Sequence, residues 1–400
     1  MRNYLKILIF IFLLSIMLSS CFVFNSVKHV INQELTINSN KKQYFTIGKK
    51  NWILLNVEIN KEGKQTMLLD TKAPGVLFRK AKPWIDTLPF LFETKGLFNP
   101  RVAGGEKIKR EVVRIDTASC KLFSTKNWPI SLISMDLVCS DIIGIVGGDF
   151  FSMEESKLEI NFDDKYLSVI DSIPTNFTEI KSNFSLIKAG VDIYLTINGI
   201  EYLFGLDTGF NGSMFFNPKK NDGSEKYLKH KVSTYGAMAL VAGGIINDTV
   251  HTKIADKIYF DDNHYVENLE VKLTNGRIQN LIGIDFIKHY NWLIDYGNEK
   301  VYIQKRKIKP EPESPLFYRD ILGCTFTYKS DTITVNLLSV DGRAEKAGLL
   351  LGDEILSFNG VNILDIPMCE RSSKAIKILK QKDKVVLKVK RNDKILDIEI

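Results

Sequence analysis

Between residues 43 and 305 the chain is written twice, and this repetition constrains its fold more than any other feature. The first copy opens "WILLNVEINKEGKQTMLLDTKAPGVLF", passes through "RVAGGEK" and closes "IIGIVGGDFFSMEESKLEINFDDKYLSVI". The second opens "VDIYLTINGIEYLFGLDTGFNGSMFF", passes through "LVAGGII" and closes "NLIGIDFIKHYNWLIDYGNEKVYI". Asp149 follows Asp70 by 79 residues, and Asp285 follows Asp207 by 78. Gly104 and Gly243 stand 34 and 36 residues after the same two aspartates. Three elements in one order at matched spacing mark two copies of one unit, each about the size of a small domain. Both copies are built of short alternating or β-branched runs bounded by turn residues, the pattern of β-strands.

Each copy carries an Asp-Thr pair at the end of an apolar run, Asp70-Thr71 and Asp207-Thr208. With the "VAGG" elements and the segments "IVGGDFF" and "LIGIDFI", the arrangement resembles the pepsin-like and retroviral-type aspartic proteases. The resemblance covers about two thirds of the chain and implies a mainly β fold: a two-lobed, closed β-barrel unit with one catalytic loop per lobe. It implies that Asp207 and Asp70 are the catalytic pair, supported by Thr208, Gly209 and Thr71. It places Gly104, Gly105, Gly243 and Gly244 on flap hairpins that close over a polypeptide substrate. Two carboxylates about 3 Å apart cannot both ionise, so they share one proton. The charged one takes a proton from a bound water while the other hydrogen-bonds the peptide carbonyl.

Copy one departs from the family pattern at Lys72, which stands where copy two has Gly209. If its ammonium reaches Asp70, it favours the ionised form and the shared proton is harder to hold. If it turns outward, the pair is untouched. The first outcome makes the double unit a non-catalytic peptide-binding module; the second leaves an endopeptidase. A third arrangement, two Asp207-bearing lobes pairing between chains, fits a tandem duplication least.

Beyond a charged, Pro-bearing linker at 306–315 the pattern changes. "AEKAGLLLGDEILSFNG" closely resembles the bacterial PDZ signature, which implies an α+β module over 316–400. PDZ domains capture an extended peptide by strand addition, with a nest of backbone N–H groups for its terminal carboxylate. The matching loop is Leu322, Gly323, Cys324 and Thr325, with a helix around Ala375 to Leu379 as the opposite wall.

At the other end, "MRNYLKILIFIFLLSIMLSSC" has basic residues, an apolar core too short for a comfortable span, and small residues before a cysteine. "LSSC" resembles a bacterial lipobox, so residues 1–20 are read as a lipoprotein signal, Cys21 as the lipidated terminus and 21–42 as a tether. The lobes then occupy 43–172 and 173–305. This predicts an exported protein, lipid-anchored in a bacterial envelope membrane and facing the periplasm. The remaining cysteines fall as Cys120 with Cys139 and Cys324 with Cys369; spacing allows bridges within each region or free buried thiols. The net charge of +7 is spread along the chain without a basic, aromatic-interleaved cluster, which argues against nucleic acid. Metal-site, P-loop and nucleophile-elbow motifs are missing, so neither a metal nor a cofactor is expected.

Overall fold

The computed structural model describes residues 32–400 apart from 49, 95–106, 136, 138, 186–189, 219–222, 242–243, 275, 277, 311–320 and 381–383. Among the described residues no helix is long and apolar enough to cross a membrane.

In the first copy the chain forms β1 (Glu34–Ile37), β2 (Lys42–Tyr44), β3 (Thr46–Ile47), β4 (Ile53–Ile59), β5 (Lys64–Asp70) and β6 (Val76–Phe78). It continues with β7 (Phe90–Glu93), β8 (Glu111–Ser119), β9 (Phe123–Ile133), β10 (Ile142–Gly147), helix α1 (Asp149–Met153), β11 (Lys157–Asn161) and β12 (Tyr166–Val169). Six of these close into a barrel, in the order β4, β5, β10, β6, β9, β8 and back to β4. Alternation decides which side chains go in: Ile53, Leu55, Val57 and Ile59 of β4 are all buried while Asn56 and Glu58 face out.

The second copy gives β13 (Thr178–Ile180), β14 (Ser182–Phe184), β15 (Val191–Ile197), β16 (Ile200–Leu206), β17 (Met214–Phe216) and β18 (Lys229–Val241). Then follow β19 (Gly244–Tyr259), β20 (Tyr265–Leu273), β21 (Leu281–Ile282), helix α2 (Ile284–Ile287), β22 (Tyr290–Asp295) and β23 (Lys300–Lys305). Its barrel closes in the corresponding order, β15, β16, β21, β17, β20, β19. The strand directions agree as well: β10 runs parallel to β5 and antiparallel to β6, as β21 does to β16 and β17. The sequence repeat is therefore a repeat of topology, strand for strand.

The lobes join through a six-stranded sheet to which both contribute. At its centre β11 pairs antiparallel with β22, Ile160 opposite Trp292. Trp292 and Tyr296 are fully buried, and one apolar cluster runs through both lobes. Removing an aromatic of that size from a core costs about 3–5 kcal/mol, so the junction is a core and not a hinge.

The last part is α+β: β24 (Cys324–Tyr328), β25 (Ile333–Ser339), α3 (Arg343–Lys346), β26 (Glu354–Phe358), α4 (Met368–Lys380), β27 (Val386–Arg391) and β28 (Lys394–Glu399). It has its own core, from Leu322 to Ile398. It is not separate, however. β25 pairs with β18, so the sheet of the second lobe runs on into this module as thirteen strands.

The cysteines correct the expected pairing. Cys139, in the loop between β9 and β10, is bonded to Cys369 in the first turn of α4, 230 residues away, with Cα atoms 5.1 Å apart. Neither same-region bridge forms. Cys120 and Cys324 remain thiols, and burial pushes them up to about 11 and about 12. Cys324 points into the module's own core, fully buried, and so cannot meet the exposed first turn of α4.

Candidate active site

β5 ends on Asp70 and β16 on Leu206, one residue before Asp207, so parallel ladders deliver both aspartates to the same level. Each is then held by its own loop. Asp70 Oδ1 accepts from the N–H groups of Lys72 (2.8 Å) and Ala73 (3.0 Å). Asp207 Oδ1 accepts from Gly209 (2.9 Å) and Phe210 (3.0 Å). The two carboxyls stand close enough for each to perturb the other's ionisation.

Beneath them the threonines cross between lobes. Thr71 N–H donates to Thr208 Oγ1 (3.0 Å), and Thr208 N–H donates to Thr71 Oγ1 (3.2 Å). Each hydroxyl then donates into the other lobe's strand, Thr71 to Leu206 O (2.6 Å) and Thr208 to Leu69 O (2.9 Å). Both threonines are fully buried with their polar atoms satisfied, a condition that fixes the loops relative to one another. Gly209 passes so close to its partner that a Cβ there would lie 2.6 Å from Asp70 Cγ.

Burial raises Asp70 above the ordinary carboxylate range, opposed by its amide bonds, the Asp207 carboxyl and the Lys72 charge. Asp207 is raised well above that range, first by burial and then by the Asp70 charge. The pair is thus built to hold one proton between two acids.

Lys72 is turned away from the pair. Its side chain crosses into the second lobe and forms an ion pair with Asp192. The stem lies over Gly205, where a Cβ would come within 2.8 Å of Lys72 Cε. Gly205 and Asp192 are direct cross-strand neighbours, so one position clears the path and the next receives the charge. Meanwhile the Lys72 N–H does for Asp70 what the Gly209 N–H does for Asp207.

Other groups in the shell were not foreseen in the sequence. Trp52 Nε1 donates to Gly209 O (2.8 Å), tying the second aspartate loop to the first lobe. Asn51 Nδ2 (2.6 Å) and Lys288 Nζ (2.6 Å) both bond Asp285 Oδ1. Its counterpart Asp149 is bonded among the described residues by amides, those of Gly75 (3.1 Å) and Phe150 (3.1 Å), and burial pushes it up to about 6. Unpaired Asn and Trp residues beside a strand carry no pattern of their own; only the fold gives them partners.

Over the second loop stands the β18–β19 hairpin. Met238, Ala239 and Ile246 pack on Phe215 and Leu281 together with Phe210, whose ring stacks on Phe215 at 4.5 Å. Gly244 opens the return strand, and Leu240 and Ile245 near the turn are more than half exposed. Cys21, Gly104, Gly105 and Gly243 lie outside the described residues.

In the C-terminal module β24 pairs with β25 alone among the described strands, which leaves its other edge open. The 322–325 loop leads into that edge: Leu322 and Cys324 are buried, Gly323 has a φ of +75°, and Thr325 is partly exposed. Helix α4 buries Arg371, Ala375 and Leu379 against the sheet, and Arg371 donates to four backbone carbonyls, among them those of Leu364 (2.9 Å) and Ser330 (3.0 Å). Residues 281–400 match the PDZ domain family. An open strand edge beside a helix is the peptide-binding arrangement of PDZ domains, and a peptide or protein is the partner that this module fits. No curated protein matches the chain.

Proposed function

We propose that the chain is an aspartic endopeptidase, lipid-anchored through Cys21 in a bacterial envelope membrane, in which the PDZ module recruits polypeptides to the Asp70–Asp207 site. The observation that carries this reading is the facing pair of carboxyls standing on four reciprocal threonine bonds, with Lys72 drawn off to Asp192. A water between the carboxyls loses a proton to Asp70 as its oxygen adds to the peptide carbonyl carbon, while Asp207 donates its proton to the carbonyl oxygen. Collapse of the tetrahedral species then breaks the C–N bond and returns a proton to the leaving amine. The flap excludes bulk water during these steps.

The test is cleavage of an unfolded polypeptide by wild type, Asp207→Asn and Asp70→Asn. Each variant is expected to lose at least about 1,000-fold in kcat, some 4 kcal/mol of barrier, with unchanged circular dichroism. Full cleavage by either variant refutes the shared-proton site. Cleavage by none of the three proteins between pH 3 and 8 favours a peptide-binding module.

A further inference from the structure

The PDZ module touches both lobes at places that bear on the site. On the second lobe, Thr234, Tyr235 and Gly236 in β18 of the flap pair with Ser339, Leu338 and Leu337 of β25. Val340 N–H adds a bond to Ser233 O (2.8 Å). Tyr235 packs against the PDZ core and donates its hydroxyl to Glu345 Oε1 at 2.8 Å. Gly236 has a φ of +115°, and a Cβ there would lie 3.0 Å from Leu337 Cα, so only glycine lets the two strands meet. On the first lobe the contact is the Cys139–Cys369 bond. Two residues before Cys139, Leu137 is buried in the cluster that holds Ile142 and Ile145 of β10, and β10 pairs with the strand that ends at Asp70.

We propose that the PDZ module is a redox-releasable brace for the second flap: β25 holds β18 in place, and the exposed Cys139–Cys369 disulfide keeps the module docked. This rests on the endopeptidase reading only where it concerns turnover. Three ladder pairs and one tyrosine make a small junction, and the disulfide holds its two sides at high effective concentration. Both cysteines are exposed, so a dithiol can reach the bond. One thiolate of the dithiol attacks a sulfur and breaks the S–S bond; its second thiol closes onto the mixed disulfide. The products are the Cys139 and Cys369 thiols and the oxidised dithiol, a transfer of two electrons and two protons. With the module released, β18 loses its outer neighbour and Met238 and Ile246 are no longer held over Phe210.

Hydrogen exchange on the full chain tests this, comparing oxidised protein, protein treated with dithiothreitol, Cys369→Ser and Gly236→Val. Amides of 232–239 and 335–339 are expected to exchange at least tenfold faster in the last three states, with unchanged far-UV dichroism. In the same samples kcat/KM on an unfolded polypeptide is expected to fall about tenfold, mainly through KM. Unchanged exchange after reduction and in both variants overturns the brace, and faster exchange with unaltered cleavage overturns its effect on turnover. If the oxidised protein cleaves nothing, the endopeptidase reading fails by itself, and the exchange of the flap still decides whether the module braces it. Cys369→Ser, which never meets reductant, separates loss of the bridge from other effects of dithiothreitol.

Discussion

The two lobes agree in topology and differ two residues either side of their aspartates. Copy one has Leu68 before and Lys72 after; copy two has Gly205 before and Gly209 after. The differences are not independent, because the loops face each other across the site. Lys72 of the first lobe needs room in the second, and Gly205 supplies it where the first lobe has Leu68. Asp192 likewise replaces Leu54, the cross-strand neighbour of Leu68. A departure that looks like decay in one copy is matched by two changes in the other. A duplicated site can lose its sequence symmetry and keep the geometry of its pair.

The comparison breaks most sharply at the two positions following the paired threonines. Gly209→Ala places a Cβ against the Asp70 carboxyl and is expected to cost about 100- to 1,000-fold in kcat, or 3–4 kcal/mol of barrier. Lys72→Gly, at the corresponding place in the other lobe, is expected to stay within about tenfold of wild type, since the N–H that serves Asp70 is kept and the lost charge acts on the pair less than burial does. Steady-state kinetics of the two variants side by side checks this. Equal losses would mean that the lobes are interchangeable after all.

The acids in the short helices that follow β10 and β21 also differ between lobes. Asp285 has Lys288 and Asn51 as partners, whereas Asp149 is buried among amides and pushed up to about 6. An unfolded aspartate ionises near 3.8. Between that pH and 6 the folded state holds the extra proton, so this group makes the fold less stable as pH rises through the window. Asp149→Asn keeps an oxygen for the Gly75 N–H and removes that penalty. It is expected to be more stable than wild type by about 2–3 kcal/mol at pH 7 and no different at pH 3. Asp285→Asn, which strands Lys288, is expected to be less stable than wild type at pH 7. Urea unfolding at the two pH values gives both signs.

The duplication, the paired Asp-Thr elements and the PDZ signature were legible because each is local: a spacing, a dipeptide or a run along one stretch of chain. What escaped is what depends on contacts between parts. Asp192 is an unremarkable acid at the start of a strand until Lys72 arrives from the other lobe. Cys369 finds Cys139 only because the PDZ module sits against the first lobe, and no spacing rule links residues 230 apart. β28 and the β18–β25 junction were equally hidden, since pairing at a sheet edge leaves no mark on hydrophobic alternation. Asp192→Asn tests the most consequential of these contacts. The pair is partly buried, with side-chain exposures of 17% and 23%, so stranding Lys72 is expected to cost about 1–2 kcal/mol in urea unfolding. A loss below a few tenths would reduce the pair to an ordinary surface contact.

The smallest expected effect bears on the pair itself. The Lys72 charge lowers both Asp70 and Asp207, by less than burial or the loop amides move them. Turnover needs one carboxyl ionised and one neutral, so the rate is bell-shaped in pH with both limbs set by the pair. Lys72→Met removes a positive charge and leaves Asp192 negative, and both changes favour the protonated forms. Both limbs are therefore expected to move to higher pH. The Lys72→Met/Asp192→Asn double variant removes the ion pair as a neutral whole, so its limbs are expected to return most of the way. The profiles of kcat/KM for the three proteins decide it. Limbs that stay displaced in the double variant would show that Lys72 acts on the aspartates directly and that Asp192 does not screen it.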